Sequence, residues 1–457
     1  MAKGSRSERI DPLHDIVLDR GTFSHTNAED LKRAFDKFTT GSERGHLCVF
    51  FHGGLVSETA GLEQAGRLVK NFADSGAYPF FFIWKSDLLS AVSAILEPPA
   101  KTRSFVQAAN DLVWTMAAKI VQARDADPGL RALPRVRPAR KAVPMTLEQL
   151  ASAARLYDRA WRAGKGEQLG CSTAELEQFG KRLAQGDQHT RPRLFLARNL
   201  RGVQNPLARI VHRFNTGHDH GLYTTVIEEL LIAAQLDKAA ATVWDTMKSF
   251  IERSFEPDKD AGGTAFLDHL RKAWQADPSL RVTLIGHSAG AIYVQRFIEV
   301  LDERIPPDTH RPLEVVLVAA ALSCRRLNAG LPALRRRVGA LRAFGLDNTR
   351  ESSYWEVKGV YNKSLLYIVC SLCERDLNAD RALVGMQRYW SGQAPYDERE
   401  IVTATKFIGA ARAVWAPTDA DAQPGYRSQA DRHGGFPEER CTNESICFGL
   451  KNGLSDR

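Results

Sequence analysis

The sequence predicts an α/β protein: a doubly wound, mostly parallel sheet with a large α-helical insertion ahead of the strand that ends at Ser288. Three observations carry this reading. Short, almost wholly apolar runs recur at His46–Phe51 (HLCVFF), Tyr78–Trp84 (YPFFFIW), Val282–Ile285 and Leu313–Leu322. They lack the alternation of a strand with one wet face, as do parallel strands covered on both sides. Amphipathic helical patterns separate them, and between Asp87 and Val282 helical composition dominates with little strand signal.

In chain order, Ile16-Val17-Leu18 suggests a first short strand. Asn27–Phe38 has a capping residue, early acids and apolar spacing at Leu31, Phe35 and Phe38, which predicts a helix. The strand His46–Phe51 runs into His52-Gly53-Gly54-Leu55, where two glycines allow close approach of the backbone to a ligand. A helix over Thr59–Phe72 leads to the strand Tyr78–Trp84, which ends at Lys85-Ser86-Asp87. The insertion is placed at 88–261, with the core at 1–87 and 262–457. Its helices are expected at Phe105–Ala123, Thr146–Arg162, Thr173–Ala184 and Thr225–Leu236. The stripe Val243, Trp244, Met247, Phe250, Ile251 and Phe255 reads as core, and the Pro/Arg-rich stretch Asp125–Pro144 as a loop. Thr264–Trp274 returns to the core as a helix.

Arg281–Glu299 is the centre of the pattern. An apolar strand enters Gly286-His287-Ser288-Ala289-Gly290, and Ile292, Val294, Phe297, Ile298 and Leu301 mark one face of the helix that leaves it. A serine on so sharp a turn has strained backbone angles, and side chains at Gly286 and Gly290 would collide with their neighbours. The turn presents the Ser288 hydroxyl and aims the Ala289 N–H, at the helix N-terminus, into the same space. Further strands are expected at Leu313–Leu322, at Ser364–Leu372 and within Phe407–Ala416, with a terminal helix at Cys441–Leu450.

An activated serine needs a base, and the base an orienting acid. Only His310 and His433 follow Ser288. His310 precedes a strand and so lies at the wrong edge of a parallel sheet, because ligands bind at the carboxyl ends of strands. That leaves His433, in the loop Ser428–Phe436. The acid is expected after the run Ser364–Leu372, with Glu374 favoured over Asp376, and Asp380 and Asp347 more remote choices. The second oxyanion donor is expected from the His52 loop, at Gly54, with Gly53 or Leu55 next to it. His52 itself reads as a brace for that loop.

Taken as a set, HGG after one strand, GHSAG after another, an acid after a later one and HGGF near the C-terminus resemble the α/β-hydrolase-fold serine hydrolases, over about residues 40–90 and 262–450. The resemblance implies a Ser288–acid–His433 triad acting on esters, thioesters or amides without a cofactor. Helical caps in that family usually follow a later strand, whereas the insertion here precedes the elbow. The expected activity is hydrolysis of a carboxylic ester, with a small or lipid-like acyl substrate, through an acyl-enzyme. Alternative readings are a phospholipase or lipase in peripheral contact with a membrane surface, and a non-catalytic binding protein on the same fold.

Composition narrows the remaining classes. With 44% hydrophobic and 25% charged residues over 457 positions, the chain is ordinary for a globular protein. A net charge of +8 does not identify a nucleic-acid partner, and the basic clusters Arg131–Lys141 and Arg335-Arg336-Arg337 read as solvated faces. The polar start resembles no signal peptide, no run approaches a membrane span, and seven irregularly spaced cysteines favour reduced thiols, so a cytoplasmic setting is expected. Cys370 and Cys373 sit in an apolar run and read as core packing. His218-Asp219-His220 lacks a third ligand at metal-site spacing and reads as the approach to a helix, so no metal is expected.

Overall fold

A computed structural model describes residues 10–54, 57–84, 88–124, 145–163, 168–178, 205–258, 260–374 and 376–454. The expected loop 125–144, its basic cluster, Leu55, the strand exit 85–87 and the end of the helix expected at Thr173–Ala184 lie outside these residues.

The chain divides into two units, one of residues 1–90, 244–351 and 382–457, the other of residues 91–243 and 352–381. The first carries an eight-stranded sheet built from β1 (Asp15–Asp19), β2 (Thr22–Phe23), β3 (His46–Phe51), β4 (Tyr78–Trp84), β5 (Arg281–His287), β6 (Leu313–Val318), β7 (Val338–Leu346) and β8 (Ala413–Ala416). Their order is β2-β1-β4-β3-β5-β6-β7-β8, and every neighbouring pair is parallel except β1 with β2. All six residues of β3 and all seven of β4 are buried, which is why neither shows a polar period.

The helices follow from local signals. Ala28–Thr40 starts at Asn27, whose side chain accepts from the N–H groups of Glu29 and Asp30 while Asp30 caps in return. Helices at Glu58–Asp74, Gly262–Ala276, Gly290–Arg304 and Cys324–Arg337 fill out this unit. One apolar cluster joins Val17, Phe50, Phe81, Ile285, Val316, Phe344 and Val414 from seven different strands to Leu68 and Phe72 of the helix Glu58–Asp74.

The core reclaims more chain than the sequence suggests. The insertion ends at 243, because Met247 packs on Gly54 and Phe255 meets Tyr293 and Phe297 edge-on. The second unit also takes in 352–381, where a strand was expected. Leu365–Ile368 is α-helical and Val369–Cys373 continues as a π-helix. Every residue from Leu365 to Cys373 is buried, so no exposed face imprints a helical period on the sequence. The strand that does follow β6 in the sheet is β7, whose run VGALRAFGL carries Arg342. That arginine is buried in its strand, with its guanidinium 3.5 Å above the Tyr426 ring and a hydrogen bond to the Gly425 carbonyl. Within the second unit, helices Arg103–Arg124, Leu147–Ala163, Pro206–Thr216 and Leu222–Ala233 pack together, with Trp114 edge-on to Tyr157 and Trp161 edge-on to Phe214.

Among the described residues, no helix is long and apolar enough to cross a membrane.

Candidate active site

β3 and β5 are neighbours, with Phe51 level with Gly286, so the His52-Gly53-Gly54 loop and the Ser288 turn leave the sheet side by side at its carboxyl edge. Ser288 has φ +54°, a left-handed conformation costly for a residue with a side chain. Its neighbours enforce it. The Ser288 N–H donates to the Val318 carbonyl at 2.8 Å, and its own carbonyl accepts from Ala321 at 3.0 Å. Both flanking glycines are required. A Cβ on Gly286 would lie 2.7 Å from the Gly290 carbonyl oxygen, and one on Gly290 would lie 2.1 Å from that of Phe51.

His433 opens the short 3₁₀ turn His433–Glu438 after β8, and the structure brings it onto the serine. Its Nε2 is 2.9 Å from Ser288 Oγ, with both residues buried. Burial, reinforced by the neighbouring His287, holds His433 well below the ordinary histidine value of 6.5, so the ring is neutral at pH 7. A neutral ring that takes the serine proton on Nε2 carries its own proton on Nδ1. That Nδ1 has no hydrogen-bonding partner among the described residues.

None of the expected acids hydrogen-bonds Nδ1 among the described residues. Glu374 caps the π-helix and Asp376 pairs with Arg381 at 3.0 Å, both inside the second unit. Asp380, the third choice, also belongs to the second unit and bonds the two histidines at 218 and 220. Asp347 is different, since it follows β7 in the sheet unit. Its N–H donates to Ala416 at the end of β8 (2.9 Å), and its Oδ1 accepts from the Arg350 N–H (2.7 Å).

The glycine loop lies against the serine turn. A Cβ on Gly53 would meet Ser288 Cβ at 2.9 Å, and one on Gly54 would meet Ala289 Cβ at 3.1 Å, so only glycine permits the loop to come this close. Ala289 is the N-cap of the helix Gly290–Arg304, whose first N–H groups have no partner within the helix. His52 braces the loop: its Nδ1 donates to the Gly53 carbonyl at 2.8 Å, and its Nε2 accepts from the Trp84 N–H at 3.0 Å. Burial lowers His52 to about 4, so this neutral tautomer persists through the neutral range.

His287 is a site residue that the sequence reading passed over. Its buried ring stacks on that of His433 with centroids 5.5 Å apart, and its Nε2–H donates to the His433 carbonyl at 3.3 Å. It fixes the backbone of the base from the residue next to the serine, and only that adjacency could have flagged it. Burial lowers it to about 4. His310, set aside on sequence grounds, stacks on Trp274 at 4.1 Å beyond the amino end of β6 and pairs with Arg337. Compared with family models, curated proteins and solved structures, the chain matches none.

Proposed function

We propose that the protein is a serine hydrolase of the α/β-hydrolase type that cleaves a carboxylic ester or thioester through an acyl-enzyme. The single observation that carries this reading is the 2.9 Å contact between Ser288 Oγ, on a left-handed turn at the end of β5, and His433 Nε2. The strand order, the turn between β5 and its helix, and a histidine after β8 support the same reading.

In this mechanism His433 Nε2 takes the hydroxyl proton as Ser288 Oγ attacks the acyl carbonyl. The negative charge that develops on the carbonyl oxygen falls to the Ala289 and Gly54 N–H groups, each worth about 3–4 kcal/mol in such sites. The imidazolium returns the proton to the departing alcohol or thiol. Water, deprotonated by the same nitrogen, then releases the carboxylic acid and regenerates the serine.

The orienting acid in this scheme is Asp347, in place of Glu374 or Asp376. It closes the strand after β6, it belongs to the same unit as the base, and its backbone is tied to the end of β8, the strand that leads to His433. Hydrolysis of aryl esters of graded acyl length, followed by phenolate release, tests the proposal. Turnover by the wild type that disappears in Ser288→Ala supports it, and no turnover across the series overturns the ester assignment.

A further inference from the structure

The second unit holds a buried polar cluster that plays no part in the chemistry at Ser288. Its centre is His220, in the loop between the helices Pro206–Thr216 and Leu222–Ala233. Both oxygens of Glu228 face His220 Nδ1, at 2.8 and 3.0 Å. On the other side of the ring, Nε2 lies 2.9 Å from Oδ1 of Asp380, which comes from a distant part of the chain. Ionised carboxylates only accept, so Nδ1 carries a hydrogen. A neutral ring would then set the Nε2 lone pair against a carboxylate oxygen in a buried place, which is costly. Nε2 thus faces a buried acceptor, a contact that either a proton or a bound cation can bridge.

Cys370 indicates which of the two. The ligating atoms of His220, Asp380 and Cys370 all lie within 4.8 Å of one another, and all three residues are buried. We propose that these residues form a binding site for a divalent transition-metal ion of the zinc class, held by His220 Nε2, a carboxylate oxygen of Asp380 and the Cys370 thiolate. One imidazole, one carboxylate and one thiolate make the mixed donor set that suits Zn²⁺. Among the described residues the cluster offers these three ligands, and a water would complete a tetrahedral set. Glu228 on Nδ1 supplies the carboxylate–histidine–metal arrangement that orients a ligating ring. His218 Nδ1, 3.1 Å from Asp380 Oδ2, holds the other oxygen of that ligand.

The charges balance around such an ion. Arg213 bonds both Glu228 and Glu229, and Arg209 bonds Glu229, which leaves Asp380 and the thiolate to match two positive charges. Binding releases to solvent the Cys370 thiol proton and the proton otherwise shared by His220 and Asp380. Without a metal the Cys370 thiol donates to the Tyr367 carbonyl at 3.2 Å, and binding would exchange that contact for the ion. The ion would fasten the 218–220 loop to the 352–381 segment, two stretches of the same unit that are remote in sequence.

The experiment uses untagged full-length protein, stripped with a chelator and titrated with Zn²⁺ against a chromophoric competitor, then separately with Co²⁺. The expected result is one tightly bound zinc per chain, lost in Cys370→Ser and Asp380→Asn and weakened about 10- to 100-fold in Glu228→Gln. The cobalt form of the wild type should show a near-ultraviolet thiolate-to-metal band, a readout that needs no variant to fold. Failure of the wild type to bind zinc below micromolar concentrations, or binding unchanged in both ligand variants, overturns the proposal. Neither result bears on Ser288.

Discussion

His433 and His220 are both buried, yet their ring nitrogens face different chemistry. His433 has a hydroxyl on Nε2 and no partner on Nδ1 among the described residues, and burial keeps it neutral. His220 has carboxylate oxygens on both nitrogens and a guanidinium close by. The first ring is left with a basic nitrogen aimed at a proton it can take. The second faces carboxylates on both sides, the arrangement from which the metal site is proposed. Burial does not decide what a histidine does; the groups opposite its two nitrogens do.

That contrast can be broken at several points. The largest effect is expected at the base itself. In His433→Ala, kcat on an aryl ester should fall on the order of 10⁶-fold, as when either partner of a serine–histidine pair is removed. Retention of most activity would show that the contact with Ser288 is structural. Next comes the acid. Asp347→Asn should lower kcat on the order of 10⁴-fold with little change in KM, the cost of an unanchored imidazole, while Glu374→Gln should leave both unchanged. The opposite pattern would return the acid to Glu374.

On the His220 side, the expected loss is one of stability. Arg213 is 1% exposed, and both of its carboxylate partners are fully buried. Arg213→Met strands those charges, so chemical denaturation should show a loss of about 3–5 kcal/mol. A loss under 1 kcal/mol would mean that the network is hydrated in solution and its distances relaxed. The smallest effect is the pH dependence of the wild type. Only neutral His433 accepts the Ser288 proton, so kcat/KM rises as pH passes upward through its pKa. Burial lowers that pKa, which places the acid limb below 6.5. A limb at 7 or above would mean that a carboxylate reaches Nδ1 in the working enzyme.

Much of this was legible in the sequence, and where it was not the reasons are physical. The strands β3 and β4 and the turn at Ser288 announce themselves because two-sided burial and a steric need for glycine leave direct traces at single positions. His433 was reachable because chain order and sheet direction eliminate His310. The acid was not. The wholly buried helical run at 365–373 looks like a strand, and the true strand β7 hides behind a buried arginine that stacks on Tyr426. The His220 cluster escaped for another reason. His218-Asp219-His220 shows two histidines only two apart, and the other residues of the proposed set, Cys370 and Asp380, lie far along the chain where no spacing rule connects them.

The central claim is that Ser288 is a nucleophile activated by His433. A fluorophosphonate probe tests it most directly, because it bonds only to a serine whose proton is being removed and needs no knowledge of the substrate. One covalent adduct per chain is expected, mapped by peptide mass spectrometry to Ser288, absent in Ser288→Ala and strongly slowed in His433→Ala. An unlabelled wild type, or an adduct on any other residue, would contradict it.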